Sequence, residues 1–209
     1  MWHNVRFRYN GLEREEVNLS GKNDYMEISM SAEAVSAWNY LLQKGFALET
    51  ISGSSVRNFL RSALGFDDEF IDGTVRTIFL NNSPVDDLDD TFVKDGDRLA
   101  LGGAMPGLVG IVMGRDNFYK SFRSGISVKD HVPAQAAPAR LSVKVFSTLA
   151  VESGRNILGR GILVDAAVLA EFLDGKRGQI VEAGGMSADD FIAGLAGKTG
   201  DVAVRISFS

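Results

Sequence analysis

The chain has 209 residues, a hydrophobic fraction of 45%, a charged fraction of 23% and a formal net charge of −5. It contains no cysteine, which excludes disulfides, thiolate zinc sites, iron–sulfur clusters and cysteine nucleophiles. The acidic balance does not favour nucleic-acid binding, no apolar run approaches the ~20 residues of a membrane span, and the N-terminal residues lack the apolar core of a signal peptide. We therefore expect a cytoplasmic protein with no nucleic-acid or membrane partner.

The first part of the chain predicts a hairpin, a helix and a strand. Residues 5–9 alternate polar and apolar side chains, and Asn10-Gly11 favours a type I′ turn before a return strand over 13–19. Residues 31–44 carry apolar side chains at helical spacing between an initial serine and a following glycine, which predicts a helix. A short strand is expected over 46–51.

The next segment, 54–101, predicts a helix followed by two strands. A serine opens the helix, and residues 75–80 have the composition of a strand. Asn81-Asn82 favours a turn with positive backbone angles. Asp95-Gly96-Asp97 is typical of a turn, and it precedes another strand over 98–101.

After Gly107 the pattern predicts two short strands, over 110–113 and 119–123. Residues 128–140 contain two prolines and four alanines and are the best linker candidate. The remaining residues predict strands at both ends, over 141–146 and 202–208. Between them we expect a short helix over 148–158 that Gly154 interrupts, a helix over 165–173, a turn or hairpin over 178–185, and a helix that begins at Ser187 with a capping-box-like Asp190. We expect the last strand to pair with the strand at 141–146.

Hairpins and helices without regular βαβ alternation predict an α+β fold. We divide it into a domain over residues 1–127, a linker over 128–140 and a smaller α+β domain over 141–209. The alternative is that the two lobes share one sheet.

Residues 54–103 resemble the second half of a ubiquitin-like β-grasp, and more narrowly the small sulfur-carrier proteins of molybdopterin and thiamin synthesis. The resemblance is carried by Ser55-Val56 at the start of a helix, Phe79-Leu80-Asn81-Asn82 at the end of a strand, and Asp95-Gly96-Asp97 before the final strand. It covers about a quarter of the chain. It implies a β-grasp-like N-terminal lobe, a scaffold that commonly serves interaction through its sheet face or edge.

The carrier families end in a free Gly-Gly carboxylate, which is adenylated and converted to a thiocarboxylate. Here Gly102-Gly103 has the matching position after the final strand, but about half of the chain follows it. Carrier chemistry would therefore require cleavage after Gly103.

The glycine-rich stretch that follows is the candidate binding loop, with Gly102, Gly103, Met105, Pro106, Gly107 and Leu108 as its candidate residues. Its glycines allow close approach of the backbone to a ligand, and exposed amides can hold an anion. No Gly-Lys-Ser/Thr follows and no helix is predicted to begin there, so it matches neither a Walker loop nor a dinucleotide fingerprint. The alternative is a connector whose Met105 and Leu108 side chains enter the core.

A run of aspartates has the oxygen ligands that a hard cation prefers: Asp86, Asp87, Asp89, Asp90, Asp95 and Asp97. It lacks the residue order of an EF-hand, and aspartate-favoured turns explain it without an ion.

His3 and His131 are too far apart in sequence to form an obvious catalytic set, and no nucleophile elbow surrounds Ser124 or Ser127. We therefore predict no metal site, no cofactor and no catalytic residues.

These patterns favour a non-enzymatic binding or interaction module that associates with a protein partner or with itself. The apolar loop around Met105–Val109 is its expected contact surface. Two alternatives stay open: a sulfur-carrier relative that requires cleavage after Gly103, and a small-molecule enzyme that uses the glycine-rich loop.

Overall fold

The computed structural model describes residues 8–9, 12–13, 24–115, 117–128 and 132–209. These residues form eleven strands and seven α-helices. The strands are β1 (Arg8–Tyr9), β2 (Leu12–Glu13), β3 (Met26–Met30), β4 (Phe46–Ile51), β5 (Thr77–Leu80), β6 (Ser83–Pro84), β7 (Arg98–Gly102), β8 (Pro138–Phe146), β9 (Ile162–Asp165), β10 (Ile180–Ala183) and β11 (Asp201–Phe208). The helices are α1 (Val35–Lys44), α2 (Val56–Ser62), α3 (Asp68–Gly73), α4 (Gly107–Met113), α5 (Ser147–Arg160), α6 (Ala166–Asp174) and α7 (Ala188–Ala196), with 3-10 turns at Ala32–Ala34, Phe118–Arg123 and Arg177–Gln179.

Side-chain caps fix where several of these helices begin. Ser55 accepts a hydrogen bond from the backbone N–H of Asn58 at the start of α2, and Asp67 accepts one from Phe70 at the start of α3. Asp165 and Ser187 cap α6 and α7 in the same way. Short polar residues therefore set the N-terminal ends of these four helices.

Nine strands form one mixed sheet in the order β10-β3-β11-β9-β4-β8-β7-β5-β6. The pairs β3/β11 and β7/β8 are parallel, and the other neighbours are antiparallel. The short strands β1 and β2 pair separately as an antiparallel hairpin. The predicted mixture of α and β structure is confirmed, and strands from both predicted domains lie side by side in this sheet.

The centre of the sheet is the antiparallel contact of β4 with β9, where Ala47 lies opposite Leu163. Outward from this contact, the two halves have the same succession of antiparallel, parallel and antiparallel neighbours. Each half also includes a strand from the other end of the chain. β8 lies between β4 and β7, whereas β3 lies between β11 and β10.

The core lies between the sheet and a connected layer of helices. In β8, Leu141, Val143 and Val145 are fully buried, whereas the alternate side chains are exposed. The helix α1 packs on β8 and α5, and its Trp38 contacts Phe172 of α6 at a ring-centroid distance of 4.7 Å. The sequence alternation in β8 therefore has the ordinary meaning of one buried and one exposed face.

Several predicted elements are confirmed. Helices form near the predicted bounds in α1, α2, α6 and α7, and strands form in β4, β5, β7, β8 and β11. Asn81 and Asn82 have φ values of 51° and 71°, as the predicted turn requires. The predicted N-terminal hairpin is confirmed for β1 and β2, while its turn residues and the rest of its strands lie outside the described residues.

Other predictions are wrong. The expected strand over 110–113 is part of the helix α4, because an apolar run without alternation does not distinguish strand from helix. The expected strand over 119–123 is part of a 3-10 turn, which Asn117 caps by accepting a hydrogen bond from the backbone N–H of Tyr119. β11 pairs with β9 and β3, not with the strand that begins the C-terminal region. The helix α5 continues through Gly154, where a Cβ would lie 3.1 Å from the side chain of Leu42, so the glycine allows α1 to approach.

The end of the predicted linker belongs to the sheet. Residues 138–140 are the first residues of β8 and pair with β4. The preceding residues 132–137 run beside the turn after β4, where Ser52 donates its backbone N–H to the carbonyl of Ala137 at 2.8 Å. Gly53 has φ +79° and no room for a Cβ next to Ala134. Composition therefore predicted an irregular segment here, but not its attachment to the sheet.

Candidate functional site

The diglycine of the candidate loop is built into the sheet. Gly102 is the last residue of β7 and lies opposite Thr77 of β5, and both Gly102 and Gly103 are buried. The Gly103 carbonyl accepts a hydrogen bond from the Thr77 hydroxyl at 3.3 Å. A Cβ at Gly103 would lie 2.8 Å from the Thr148 hydroxyl, so a larger residue requires the Thr148 side chain to move.

The rest of the candidate loop is exposed and leads into a helix. Met105 is 38% exposed, and Pro106 precedes Gly107, which opens α4 with φ +82°. Leu108 is 72% exposed. The alternative in which Met105 and Leu108 enter the core is therefore wrong. The expectation that no helix begins here is also wrong.

Exposed apolar side chains continue well beyond the predicted loop. We call residues 105–126 the apolar segment. Its exposed apolar side chains are Met105, Leu108, Val109, Ile111, Phe118, Tyr119, Phe122 and Ile126. The Phe118 and Phe122 rings, at 90% and 80% exposure, each contact Tyr119.

The exposed apolar area of this segment is large for a folded protein. From typical aromatic side-chain areas, Phe118, Tyr119 and Phe122 together present about 400 Å². A monomeric protein typically has a largest apolar patch of roughly 300–600 Å² in total, and that patch is often functional. The three aromatic rings alone reach this range, before the side chains of α4 are counted.

Arg115 attaches the middle of the apolar segment to the end of α3. Its side chain is 3% exposed, and it donates hydrogen bonds to the carbonyls of Ile71 at 2.6 Å and Val75 at 2.8 Å. Its backbone N–H donates to the Arg76 carbonyl at 2.6 Å. Carbonyls at the end of a helix are unpaired and carry partial negative charge, so they favour a buried guanidinium.

Arg123 attaches the end of the segment to the loop after β6. Its side chain is 2% exposed and forms two hydrogen bonds with the Asp86 carboxylate, at 2.7 and 3.1 Å. It also donates to the carbonyls of Val112 and Gly114. The Val128 backbone N–H then donates to the Pro84 carbonyl. Two buried arginines thus hold a segment whose apolar side chains face outward.

The aspartates of the predicted acidic run form structural contacts. Asp87 accepts hydrogen bonds from the backbone N–H groups of Asp89 and Asp90, and Asp95 accepts one from Arg140. Asp97 is 3% exposed and accepts from Lys94 and Asn81. Across the part of the chain that the structure describes, no group of three or more His, Cys, Asp or Glu residues is arranged to hold a metal ion.

Arg115 of the apolar segment lines an open cleft of about 390 Å³ together with Arg57, Asp72, Asp86, Asp87, Leu88 and Asp89. In this cleft Arg57 donates hydrogen bonds to the carboxylates of Asp72 and Asp89, and it also donates to Asp68. Arg61 also binds Asp68, and this hydrogen bond lowers the pKa of the Asp68 carboxyl.

Replacing Arg61 with alanine should raise the pKa of Asp68 toward the ordinary carboxyl value, because the hydrogen bond that lowers it is lost. A carboxyl whose pKa is lowered by folding stabilises the fold above its unfolded pKa, and this contribution is lost as pH falls through the folded pKa. Carboxyl ¹³C NMR titration measures the shift directly. Arg98→Ala, at an exposed position on β7, is the control; an equal shift in both variants would contradict the assignment.

A second open cleft, of about 620 Å³, is lined by residues of β3, β4 and β11, the end of α2 and the turn between α5 and β9. Its charged groups engage one another and the backbone. Arg205 pairs with Glu27 at 3.4 Å and lies 4.2 Å from the ring centroid of Tyr25. Arg160 donates to the carbonyls of Ser62 and Ala63. Arg205 also donates to the Arg160 carbonyl, so these donors connect β11 to α5 and α5 to the end of α2.

The sequence interpretation did not identify Arg115 and Arg123. Their acceptors are mostly backbone carbonyls, and the carboxylate partner of Arg123 lies 37 residues earlier in the chain. No local sequence pattern predicts such contacts. The signal that could have indicated them is the presence of two arginines within an otherwise apolar segment. Of the serine and histidine candidates considered for catalysis, Ser127 donates a hydrogen bond from its hydroxyl to Asp86. His3 and His131 lie outside the described residues.

No family model matches the chain, and no curated protein or solved structure matches it. Among the helices of the described residues, none is both long enough and apolar enough to cross a membrane.

Proposed function

We propose that this chain is a non-enzymatic interaction module that binds a macromolecular partner through the apolar segment. The observation that carries the proposal is the combination of exposed aromatic and aliphatic side chains with a buried two-arginine attachment. Phe118 and Phe122 gain nothing from their exposure in the isolated chain. Removing them from water is favourable by about 25 cal/mol per Å², and a partner supplies that burial.

The attachment by Arg115 and Arg123 favours binding because a flexible segment must lose conformational entropy when it binds a partner. A segment that is already held in place loses less conformational freedom on association than a free loop does. The hydrogen bonds of Arg115 and Arg123 hold the backbone of the segment at residues 112, 114 and 115. Large aromatic side chains on such a support are the usual anchors of protein interfaces.

For the scaffold, we propose a β-grasp-like arrangement in the half of the sheet that carries the segment. The predicted order of elements supports it: α2 opens at Ser55-Val56, β5 ends at Asn81-Asn82, and Asp95-Gly96-Asp97 precedes β7. In this half of the sheet β7 pairs with β8, a strand from later in the chain. The absence of cysteine fits a reducing compartment such as the cytoplasm.

The buried diglycine gives no support to carrier chemistry. Cleavage after Gly103 requires a protease to reach a peptide that lies at the end of a paired strand. The glycine-rich loop likewise presents side chains outward and does not enclose a substrate. The interaction module therefore remains the function that the observations support best.

Site-specific photo-crosslinking in the native host tests the proposal. A benzoylphenylalanine at Phe122 should give a discrete adduct of higher mass, because this side chain is 80% exposed within the proposed contact. Adding Leu108→Asp in the same chain should remove the adduct, since a charge in an apolar contact is costly.

The matched control places the same crosslinker at Tyr40, which is 64% exposed on α1. An adduct at Phe122 but not at Tyr40 supports the proposal. Equal adducts at both positions, or an adduct that Leu108→Asp leaves intact, would show that the apolar segment is not the contact surface.

A further inference from the structure

We propose that the partner of the apolar segment is a basic amphipathic peptide or helix, with an apolar stripe flanked by lysine or arginine. This inference rests on the proposed function and specifies the chemistry of the occupant.

The border is strongly acidic. Residues 65–90 contain eight carboxylates and a single arginine. Four other arginines reach this region: Arg57, Arg61, Arg115 and Arg123. Eight carboxylates against five guanidinium groups leave an excess of three negative charges at this border. The chain as a whole carries −5.

Direct contacts join this border to the apolar segment. A guanidinium nitrogen of Arg115 lies 4.0 Å from the Asp72 carboxylate, and Arg123 binds Asp86. Asp72, Asp87 and Asp89 line the same cleft as Arg115. Asp68, Asp72 and Asp89 have side chains that are 54–66% exposed, so a partner seated on the segment meets their field.

The arginines of the border are already engaged. Arg57 is 17% exposed and binds three carboxylates, while Arg115 and Arg123 are buried. Arg61 is 45% exposed but binds Asp68, and Arg76 donates to the carbonyls of Asp72 and Arg115. The exposed charge that a partner encounters is therefore mainly carboxylate. Complementary charges around an apolar contact increase the association rate and select the partner.

The same charges disfavour two other occupants. A second copy would bring its own acidic border to the contact, and like charges placed together across an interface are unfavourable. An anionic membrane surface attracts basic segments, not acidic ones. A partner with basic flanks is the occupant that satisfies both the apolar side chains and the carboxylates.

The test uses two synthetic amphipathic peptides of about 14 residues with leucine on one helical face. One carries lysine on its polar face and the other carries glutamate. Isothermal titration calorimetry with the full chain should show binding of the lysine peptide and at least tenfold weaker binding of the glutamate peptide.

Charge variants then locate the contact. Glu69→Gln, Asp87→Asn and Asp90→Asn together remove three charges from the border, and asparagine at position 87 keeps the oxygen that accepts the turn hydrogen bonds. This triple variant should weaken binding of the lysine peptide about tenfold. The matched control, Glu152→Gln, Glu171→Gln and Glu182→Gln, makes the same change in net charge at exposed sites on α5, α6 and β10, and should leave affinity unchanged.

The outcomes separate this inference from the proposed function. Equal binding of both peptides, or equal effects of both triple variants, overturns the basic partner but leaves the apolar contact. If Leu108→Asp with Phe122→Asp leaves lysine-peptide binding intact, the apolar segment is not the contact and the inference fails with it. A dimer in light scattering that this double variant dissociates identifies a second copy as the occupant. Binding of the wild-type chain to phosphatidylcholine–phosphatidylglycerol vesicles identifies a lipid surface, and either result overturns the inference.

Discussion

A chain that ends at residue 127 should fail to fold. The predicted N-terminal domain keeps β4 and β7 but lacks β8, the strand that lies between them and pairs with both. The truncation also removes the buried Leu141, Val143 and Val145 and the helix α5, which packs on α1. Without them, β7 becomes an edge strand, and β4, which also loses β9, has no paired neighbour. Their apolar faces meet water, a state prone to aggregation.

We expect this truncated chain to lack a cooperative urea transition and dispersed amide resonances in a ¹⁵N–¹H NMR spectrum. The control is the full-length chain with a protease site inserted between residues 132 and 137, cleaved after folding. It should stay folded, because all strands are present and only connectivity is lost. A cooperative transition in the 1–127 chain would instead establish it as an independent domain.

Arg123→Ala should loosen the end of the apolar segment from the loop after β6, while Arg115 still holds the middle of the segment. Removing one member of a buried ion pair leaves the other uncompensated and typically costs 3–5 kcal/mol. The Asp86 carboxylate is 30% exposed, so we expect about 3 kcal/mol, the lower end of that range. The carbonyls of Val112 and Gly114 lose a donor in the same variant.

Hydrogen exchange measures this effect locally. Protection should fall for amides in residues 107–128 of Arg123→Ala, with a smaller effect on the amides of β8 and α5, which the arginine does not contact. Arg98→Ala changes an exposed arginine on β7 and should shift stability by no more than about 0.5 kcal/mol. Replacing Asp86 and Arg123 together with leucine and methionine should recover much of the loss, since an apolar pair leaves no uncompensated charge. Unchanged exchange in Arg123→Ala would show that the arginine does not hold the segment.

Local patterns predicted much of the secondary structure. Alternation was sufficient for β8 and β11, where every second side chain faces the core. Capping residues were sufficient for α2 and α7, where Ser55 and Ser187 bond to the backbone within one helical turn. Such signals involve only a few neighbouring residues, so the sequence alone is enough to predict the element.

Strand pairing and other contacts between distant parts of the chain could not be predicted from the sequence. The short strands β3, β9 and β10 have five residues or fewer, and their pairing partners define them more than their own composition does. The pairing of β11 was mispredicted because alternation indicates a buried face but not the neighbour. For the site, the sequence predicted a contact surface around Met105–Val109, whereas its aromatic part and its buried arginines depend on contacts with distant residues.

The exchange of strands between the two halves of the sheet has a consequence for how the chain is made. β3 is among the first described strands, and its parallel partner β11 is the last. Roughly 180 residues separate them, which at 5–20 residues per second corresponds to about 10–40 seconds of synthesis on a ribosome. During this interval β3 has no parallel neighbour, and β4 and β7 wait similarly for β8. Until β11 has emerged, the nascent chain therefore exposes both unpaired strands and the apolar segment. Chaperones that shield such surfaces are expected to bind it.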